Sequence, residues 1–286
     1  MDCYHDQQRM FPGGNCVNHA VFARRFGART AYAGAVSDDA AGRAIRDAFI
    51  AEGVETSLLR IVPGQTAYCV ITNEDGERVF TGANLGVSVI APSPDDLAWM
   101  NDADAVHTGR SSHVDSWLEH FASLTRVSYD FATINEEDRI ASIAPHCFLA
   151  GFSGSHLERD EAIALTQMTL RHGASWAVIT RGENGALLAG PDGVIEAPAV
   201  PVQPIDTLGA GDTFIARTLV GLLRGEAPVT FLREAAEAAA ATCLAQGAFG
   251  HGAPMEVDLT TLQTIDEIYA TTRPAPGPDT ELPATT

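Results

Sequence analysis

Strand-length runs rich in β-branched and aromatic residues alternate with helix-length segments along most of this chain, and that alternation confines it to a sheet flanked by helices, an α/β fold. Residues 15–26 read as a helix, 30–36 as a strand, 40–52 as a helix and 58–62 as a short strand. Further strands are expected at 103–108, 126–131, 147–150 and 176–180, with helices at 116–124, 136–143 and 157–172. One region breaks the pattern: β-rich runs at 66–72 and 78–80 surround Asn73-Glu74-Asp75-Gly76, and Asp-Gly is a strong hairpin signal. Residues 195–202 read as extended. A helix then starts at about Gly211, and an Ala-rich helix spans 230–245. Beyond residue 273 the chain turns Pro/Thr-rich and is expected to be a disordered tail.

Composition removes several function classes. With 286 residues and 45% hydrophobic content, the chain can bury a large core. All 18 basic residues are arginine. Without lysine there is no Walker-type phosphate loop, no protein-kinase ATP site and no pyridoxal Schiff base. A formal charge of −19 argues against a nucleic-acid partner, which needs concentrated basic surface. The five cysteines (Cys3, Cys16, Cys69, Cys147, Cys243) lack zinc-site spacing and disulfide density, and read as reduced thiols. No apolar run reaches membrane-span length and the start has no leader pattern, so a cytoplasmic location and no membrane partner are expected.

Two clusters carry chemistry. In Asp206-Thr207-Leu208-Gly209-Ala210-Gly211-Asp212 the glycines permit a tight turn before a helix. First-turn amides and the positive dipole end there would attract phosphoryl oxygens, with Asp212 placed to accept a proton. From spacing alone, Asp212 as a simple helix cap is the stronger reading. In Gly13-Gly14-Asn15-Cys16-Val17-Asn18 two asparagines lie one turn apart on a shared face and could match vicinal sugar hydroxyls; alternatively Asn15 caps a helix and Asn18 is solvated. Position 214 is Phe, so 209–214 does not complete a Gly-x-Gly-x-x-Gly dinucleotide fingerprint.

These segments resemble the ribokinase-like (PfkB) carbohydrate kinases, and the resemblance runs from about Asp2 to Gly252. It rests on the 206–212 signature, the Gly-Gly-Asn with its further Asn, the 33–42 segment, and Thr180-Arg181-Gly182-Glu183-Asn184-Gly185, which is similar to the family's nucleotide-side Thr-x-Gly-x-x-Gly loop. The look is nearest to fructoselysine 6-kinase-like members, through residues 13–21, 77–80, 106–108, 129–131 and 247–252.

The resemblance implies a three-layer α/β/α sandwich with a mainly parallel central sheet, as one kinase domain over 1–272. In it, 65–82 with residues near 3–11 would form a β lid, followed by the disordered tail at 273–286. It implies ATP-dependent phosphorylation of a primary hydroxyl on a ketose-like sugar, a fructosamine such as fructoselysine being the best single guess. A kinase for fructose, a ribose derivative or a nucleoside, or a noncatalytic sugar- or nucleotide-binding relative, is the alternative. Asp212 would be the catalytic base, with Gly209, Ala210 and Gly211 as the anion hole. Asp2, Gly14, Asn15 and Asn18 would bind sugar; Thr180, Gly182, Gly185, Asp206, Thr207 and Gly250 would serve the nucleotide side. Cofactors implied are ATP and Mg²⁺; a monovalent cation near Asp206 and a homodimer through the lid stay open. Two departures stand out. Only Met1 precedes Asp2, so the family's first strand is expected to be missing. The family's Asn-x-x-Glu has no Asn in residues 151–158, leaving Glu158 or Glu161 as substitutes and the metal ligands unknown.

Overall fold

The computed structural model describes residues 1–74, 77–264, 267–268, 275 and 277–278. The expected turn at Asp75-Gly76 and most of the tail expected from residue 273 therefore lie outside the described residues. The chain divides into two compact units, Met1–Ile90, Val202–Ala216 and Ala239–Arg273 in the first, and Ala91–Pro201, Arg217–Ala238 and Pro274–Thr286 in the second.

The first unit begins with β1 (Asp2–Tyr4), β2 (Arg9–Phe11), α1 (Asn15–Arg25), β3 (Gly34–Val36), α2 (Ala40–Glu52), β4 (Leu59–Ile61), β5 (Tyr68–Glu74) and β6 (Glu77–Asn84). The second contains α3 (Pro94–Asp102), β7 (Ala105–Gly109), α4 (Leu118–Leu124), β8 (Arg126–Asp130), α5 (Glu137–Ile143), β9 (Leu149–Ser153), α6 (Arg159–Arg171), β10 (Trp176–Thr180), β11 (Ala186–Gly190) and β12 (Gly193–Ala197). Then follow α7 (Ala210–Leu223), α8 (Pro228–Thr242) and the two-residue β13 (Ala253–Pro254).

In the first unit a five-stranded sheet has the order β13-β2-β1-β5-β6. Asp2 opens β1, opposite Phe11 of antiparallel β2 and Cys69 of parallel β5. β5 and β6 form the hairpin read from the sequence, irregular between Val70 and Ile71. A separate parallel pair joins β3 to β4. Helix α2 starts where Asp39 accepts a hydrogen bond from the Gly42 amide at 2.7 Å and ends at Gly53, whose φ of 73° suits glycine. Asp39 also takes the amide and hydroxyl of Thr66, at 2.8 and 2.7 Å, and so ties the helix start to the base of the hairpin. Burial raises its pKa, but the hydrogen bonds from Thr66 and Gly42 outweigh that and hold it below the usual range.

The second unit is built on a six-stranded sheet of order β12-β11-β10-β9-β8-β7, parallel from β7 to β10 and antiparallel through β11 and β12. Its apolar core contains Tyr129, Phe131, Ile140, Phe152 and Ile179, each 0–1% exposed, with the rings of Phe131 and Phe152 stacked 4.6 Å apart. Helix α6 begins with a capping box in which the Glu158 and Glu161 carboxylates bond the first-turn backbone. Both are exposed and committed to the helix end.

The structure adds what the pattern did not show. Helix α3, with a Ser93/Asp96 capping box and Pro at its first turn, was not expected, nor was the β11–β12 pair. The strand expected over 30–36 shortens to Gly34–Val36, with one isolated bridge from Ala31 to Glu55. His107 lies in β7, where Ser128 Oγ is 2.9 Å from its Nδ1 and burial pulls its pKa down to about 3. Among the described residues no helix is long and apolar enough to cross a membrane.

Candidate active site

The N-cap of helix α1 is Gly14, not Asn15. Gly14 occupies the cap with φ 101°, a value that side-chain-bearing residues rarely adopt, and its carbonyl accepts the Asn18 amide at 2.9 Å. A Cβ there would meet no heavy atom within 4 Å, so the turn faces open space. Asn15 becomes the first helical residue, half-buried, its Oδ1 taking the Cys16 thiol at 3.1 Å. The solvated reading of Asn18 is corrected: it is 2% exposed.

Asn18 Nδ2 donates to Asp212 Oδ2 at 2.6 Å, joining the two sequence clusters across 194 residues. Asp212 is the third residue of α7, inside its first turn, so the simple-cap reading is also corrected. The position before the helix belongs to Gly209, with φ 77°; its carbonyl receives the Thr213 amide and hydroxyl, both at 2.8 Å. The amide of Gly211 lies in the first turn, where no intrahelical carbonyl can reach it. The loop thus presents backbone donors beside a carboxylate, which suits an anion that receives a nucleophile.

Asp2 adds a second carboxylate. It is 4% exposed, and its Oδ1 accepts the Cys69 thiol at 3.0 Å. Burial first, then the Asp2 charge, raises the Cys69 pKa well above its ordinary value, so the thiol stays a donor. Oδ2 rests against Gly13, where a Cβ would lie 1.7 Å away. Asp2 Oδ2 and Asn18 Oδ1 are buried acceptors with no hydrogen-bond partner among the described residues. Each orphan acceptor costs about 1–3 kcal/mol, a cost that hydroxyl donors from a ligand would remove.

Asp206 holds the loop itself. Its Oδ1 accepts the Leu208 amide at 3.0 Å, and its Oδ2 accepts the Gly247 amide at 3.0 Å and the Tyr4 hydroxyl. Thr207 is exposed, and Gly250 stands at φ 89° beside open space. In the second unit, Thr180 ends β10 with its hydroxyl on the Phe152 carbonyl at 3.3 Å. The loop after it closes with the Arg181 amide on the Gly185 carbonyl at 2.7 Å, with Gly182 and Gly185 at φ 56° and 78°. A Cβ at Gly185 would lie 2.1 Å from the Ala197 carbonyl, which requires glycine. Arg181 is 8% exposed and donates to the Leu157 carbonyl at 3.4 Å.

Sequence reasoning missed Tyr4 and Cys69. Neither belongs to a motif, and only the β1–β5 register and the long return of the chain to Asp206 reveal them. Among the described residues no three acidic, His or Cys side chains cluster as a metal site.

Comparison with known proteins gives the family and its fold. Residues 3–253 match the model of the pfkB family carbohydrate kinases. The fructosamine kinase FrlD of Bacillus subtilis strain 168 is 35% identical over 263 residues, covering 90% of this chain and 93% of that protein. The fructoselysine 6-kinase of Escherichia coli K12 is 31% identical over 253 residues, covering 87% and 96%. Among solved structures, Arabidopsis thaliana ribokinase complexed with ribose and ATP superposes with a TM-score of 0.71 at 22% identity, over 87% of this chain and 85% of that one, which shows a ribokinase-like α/β fold. With the glycine-flanked Asp212 loop, the Asn18 contact and these matches together, the chain belongs to the pfkB family of carbohydrate kinases.

Proposed function

We propose that this chain transfers the γ-phosphoryl group of ATP to the primary 6-hydroxyl of a fructosamine, with fructoselysine as the representative substrate. The observation that supports this reading is the 2.6 Å hydrogen bond from Asn18 Nδ2 to Asp212 Oδ2, which joins the candidate sugar-side amide to the proposed base. The two relatives above supply the substrate class.

In this reading Asp2, Gly14, Asn15 and Asn18 receive the sugar. The orphan acceptors Asp2 Oδ2 and Asn18 Oδ1 take hydroxyl hydrogens, and the open space at Gly14 admits the ring. Asp212 accepts the proton of the attacking hydroxyl. That hydroxyl is far too weak an acid to ionise first, so the proton moves late, as the O–P bond forms and the bond to ADP breaks. Backbone amides of Gly209, Ala210 and Gly211 stabilise charge on the transferring group. Thr180, Gly182, Gly185, Thr207 and Gly250 are assigned to the nucleotide by resemblance. Asp206 is committed to Tyr4, Leu208 and Gly247, and we give it the role of holding the loop.

Mg²⁺ bound to ATP would offset charge on the phosphate oxygens. In this reading the cation is carried mainly by the nucleotide and water. The β5–β6 hairpin with β1 and β2 is the proposed lid, excluding water from the reaction. In this reading a second copy would pack on the lid, where Phe80 of β6 is 43% exposed.

Coupled measurement of ADP release across fructoselysine, fructose, ribose and nucleosides tests the proposal. Fructoselysine should give the highest kcat/KM, with one phosphate on its 6-oxygen. Faster turnover of a nucleoside, or binding of sugar and ATP without product, would overturn it.

A further inference from the structure

His251 has φ 61°, a left-handed conformation that costs a non-glycine residue about 1–2 kcal/mol. It follows Gly250, also at positive φ, and something must hold it there. His251 Nε2 lies 2.7 Å from Glu52 Oε1, at the last residue of α2. Arg25, the last residue of α1, grips the same carboxylate with two bonds of 2.9 and 2.6 Å. Its Nη2 also donates to the Phe249 carbonyl at 3.2 Å. The Glu52 side chain is 13% exposed. The Arg25 bonds come first in holding its carboxyl below the usual range, burial opposes them and His251 adds to them, so Glu52 is charged at neutral pH.

The other side of this segment meets the Asp212 loop. Gly247 donates its amide to Asp206. Ala248 lies so close to Gly209 that a Cβ at Gly209 would be 2.4 Å from the Ala248 Cβ. Phe249 sets its ring edge-on to Phe22 of α1, with centroids 6.4 Å apart. A shift of residues 247–251 would therefore press on Gly209 directly. If the cluster served only to staple α1 to α2, the Arg25–Glu52 pair would suffice, and glycine at 251 would remove the strain. The strained histidine, together with the Arg25 bond to the Phe249 carbonyl, ties the staple to the loop's backing segment.

We propose that Arg25, Glu52 and His251 form a clasp of positioning residues that seats residues 247–250 behind Gly209 and so keeps the 209–211 amides and Asp212 in phosphoryl-transfer geometry. The inference rests on the reading of that loop as the transfer site.

Its test is steady-state kinetics with MgATP and fructoselysine, or whichever panel sugar turns over fastest, beside thermal unfolding of each variant. His251→Gly, which relieves the strain, should unfold at or above the parental Tm yet lose about tenfold in kcat, with the sugar KM within about twofold. Glu52→Ala should lose at least as much. His251→Gln, which restores a donor near the Nε2 position, should recover kcat to within about threefold of the parent. Parental kcat in His251→Gly, or kcat losses that simply follow Tm losses across the three variants, would overturn the clasp. Asp212→Asn separates the two levels. If it turns over normally, the reading of the loop falls and the clasp with it; if it is inactive while His251→Gly is normal, the clasp alone falls.

Discussion

The six-stranded sheet and the five-stranded sheet of this protein differ in how the chain assembles them. In the former, neighbouring strands are neighbours in sequence, and apolar side chains such as Tyr129, Phe131, Phe152 and Ile179 are buried completely or nearly so. In the latter, β1 at Asp2, β5 at Tyr68 and the two-residue β13 at Ala253 are brought together from distant parts of the chain. Beside it lie two buried acceptors without partners, Asp2 Oδ2 and Asn18 Oδ1. One region spends its residues on stability. The other holds buried acceptors that the proposed sugar would satisfy, and this is where function is expected to concentrate.

Removing a core ring should break the comparison on the stability side. Phe152→Ala, which empties the space stacked on Phe131, should cost about 3–5 kcal/mol in urea unfolding, with the sugar KM of the folded fraction unchanged. Gly13→Ala attacks the other region. Its methyl would meet Asp2 Oδ2 at 1.7 Å, so the carboxylate must move, and the sugar KM should rise by about tenfold or more while the unfolding midpoint falls less than for Phe152→Ala.

Acid provides a third contrast. His107 has a pKa lowered to about 3 in the folded protein, so below its unfolded value of about 6.5 only the unfolded chain takes up its proton. Stability should fall as pH drops from about 6.5 towards 3, by up to about 1.4 kcal/mol per pH unit from this residue. His107→Asn should flatten that part of a urea-midpoint profile. Glu52 acts lower: its folded pKa is depressed, so its contribution is complete above about 4.5 and lost as pH falls further. The smallest effect is the most pointed. Asn18→Leu removes an orphan acceptor but also the donor to Asp212, two opposing effects that should leave stability within about 1 kcal/mol of the parent, while sugar binding, followed calorimetrically, is lost.

The same contrast governs what could be read from the amino-acid order. Strand β10 falls where alternation and burial predict it, and α2 carries its own stop signs in Asp39 and Gly53. Helix α3 also carried its sign, Ser93-Pro94-Asp95-Asp96, and could have been found from it. Strands β1, β2 and β13 have only two or three residues, too few for any period to show, and their pairing exists only through tertiary contact. At the site, glycines 13, 14, 209 and 211 and Asp212 were legible because turn chemistry and resemblance mark them. The burial of Asn18 was not, since its partner is 194 residues away. Tyr4 on Asp206 and Cys69 on Asp2 were hidden for the same reason.

The central claim is that the loop ending in Asp212 performs phosphoryl transfer, and Asp212→Asn tests it most directly. The substitution keeps the shape of the side chain and removes its basicity. Measured by ADP release with fructoselysine, kcat should fall by about 10³-fold or more, with sugar affinity and unfolding midpoint close to those of the parent. A variant that phosphorylates the sugar at near-parental kcat would contradict the account.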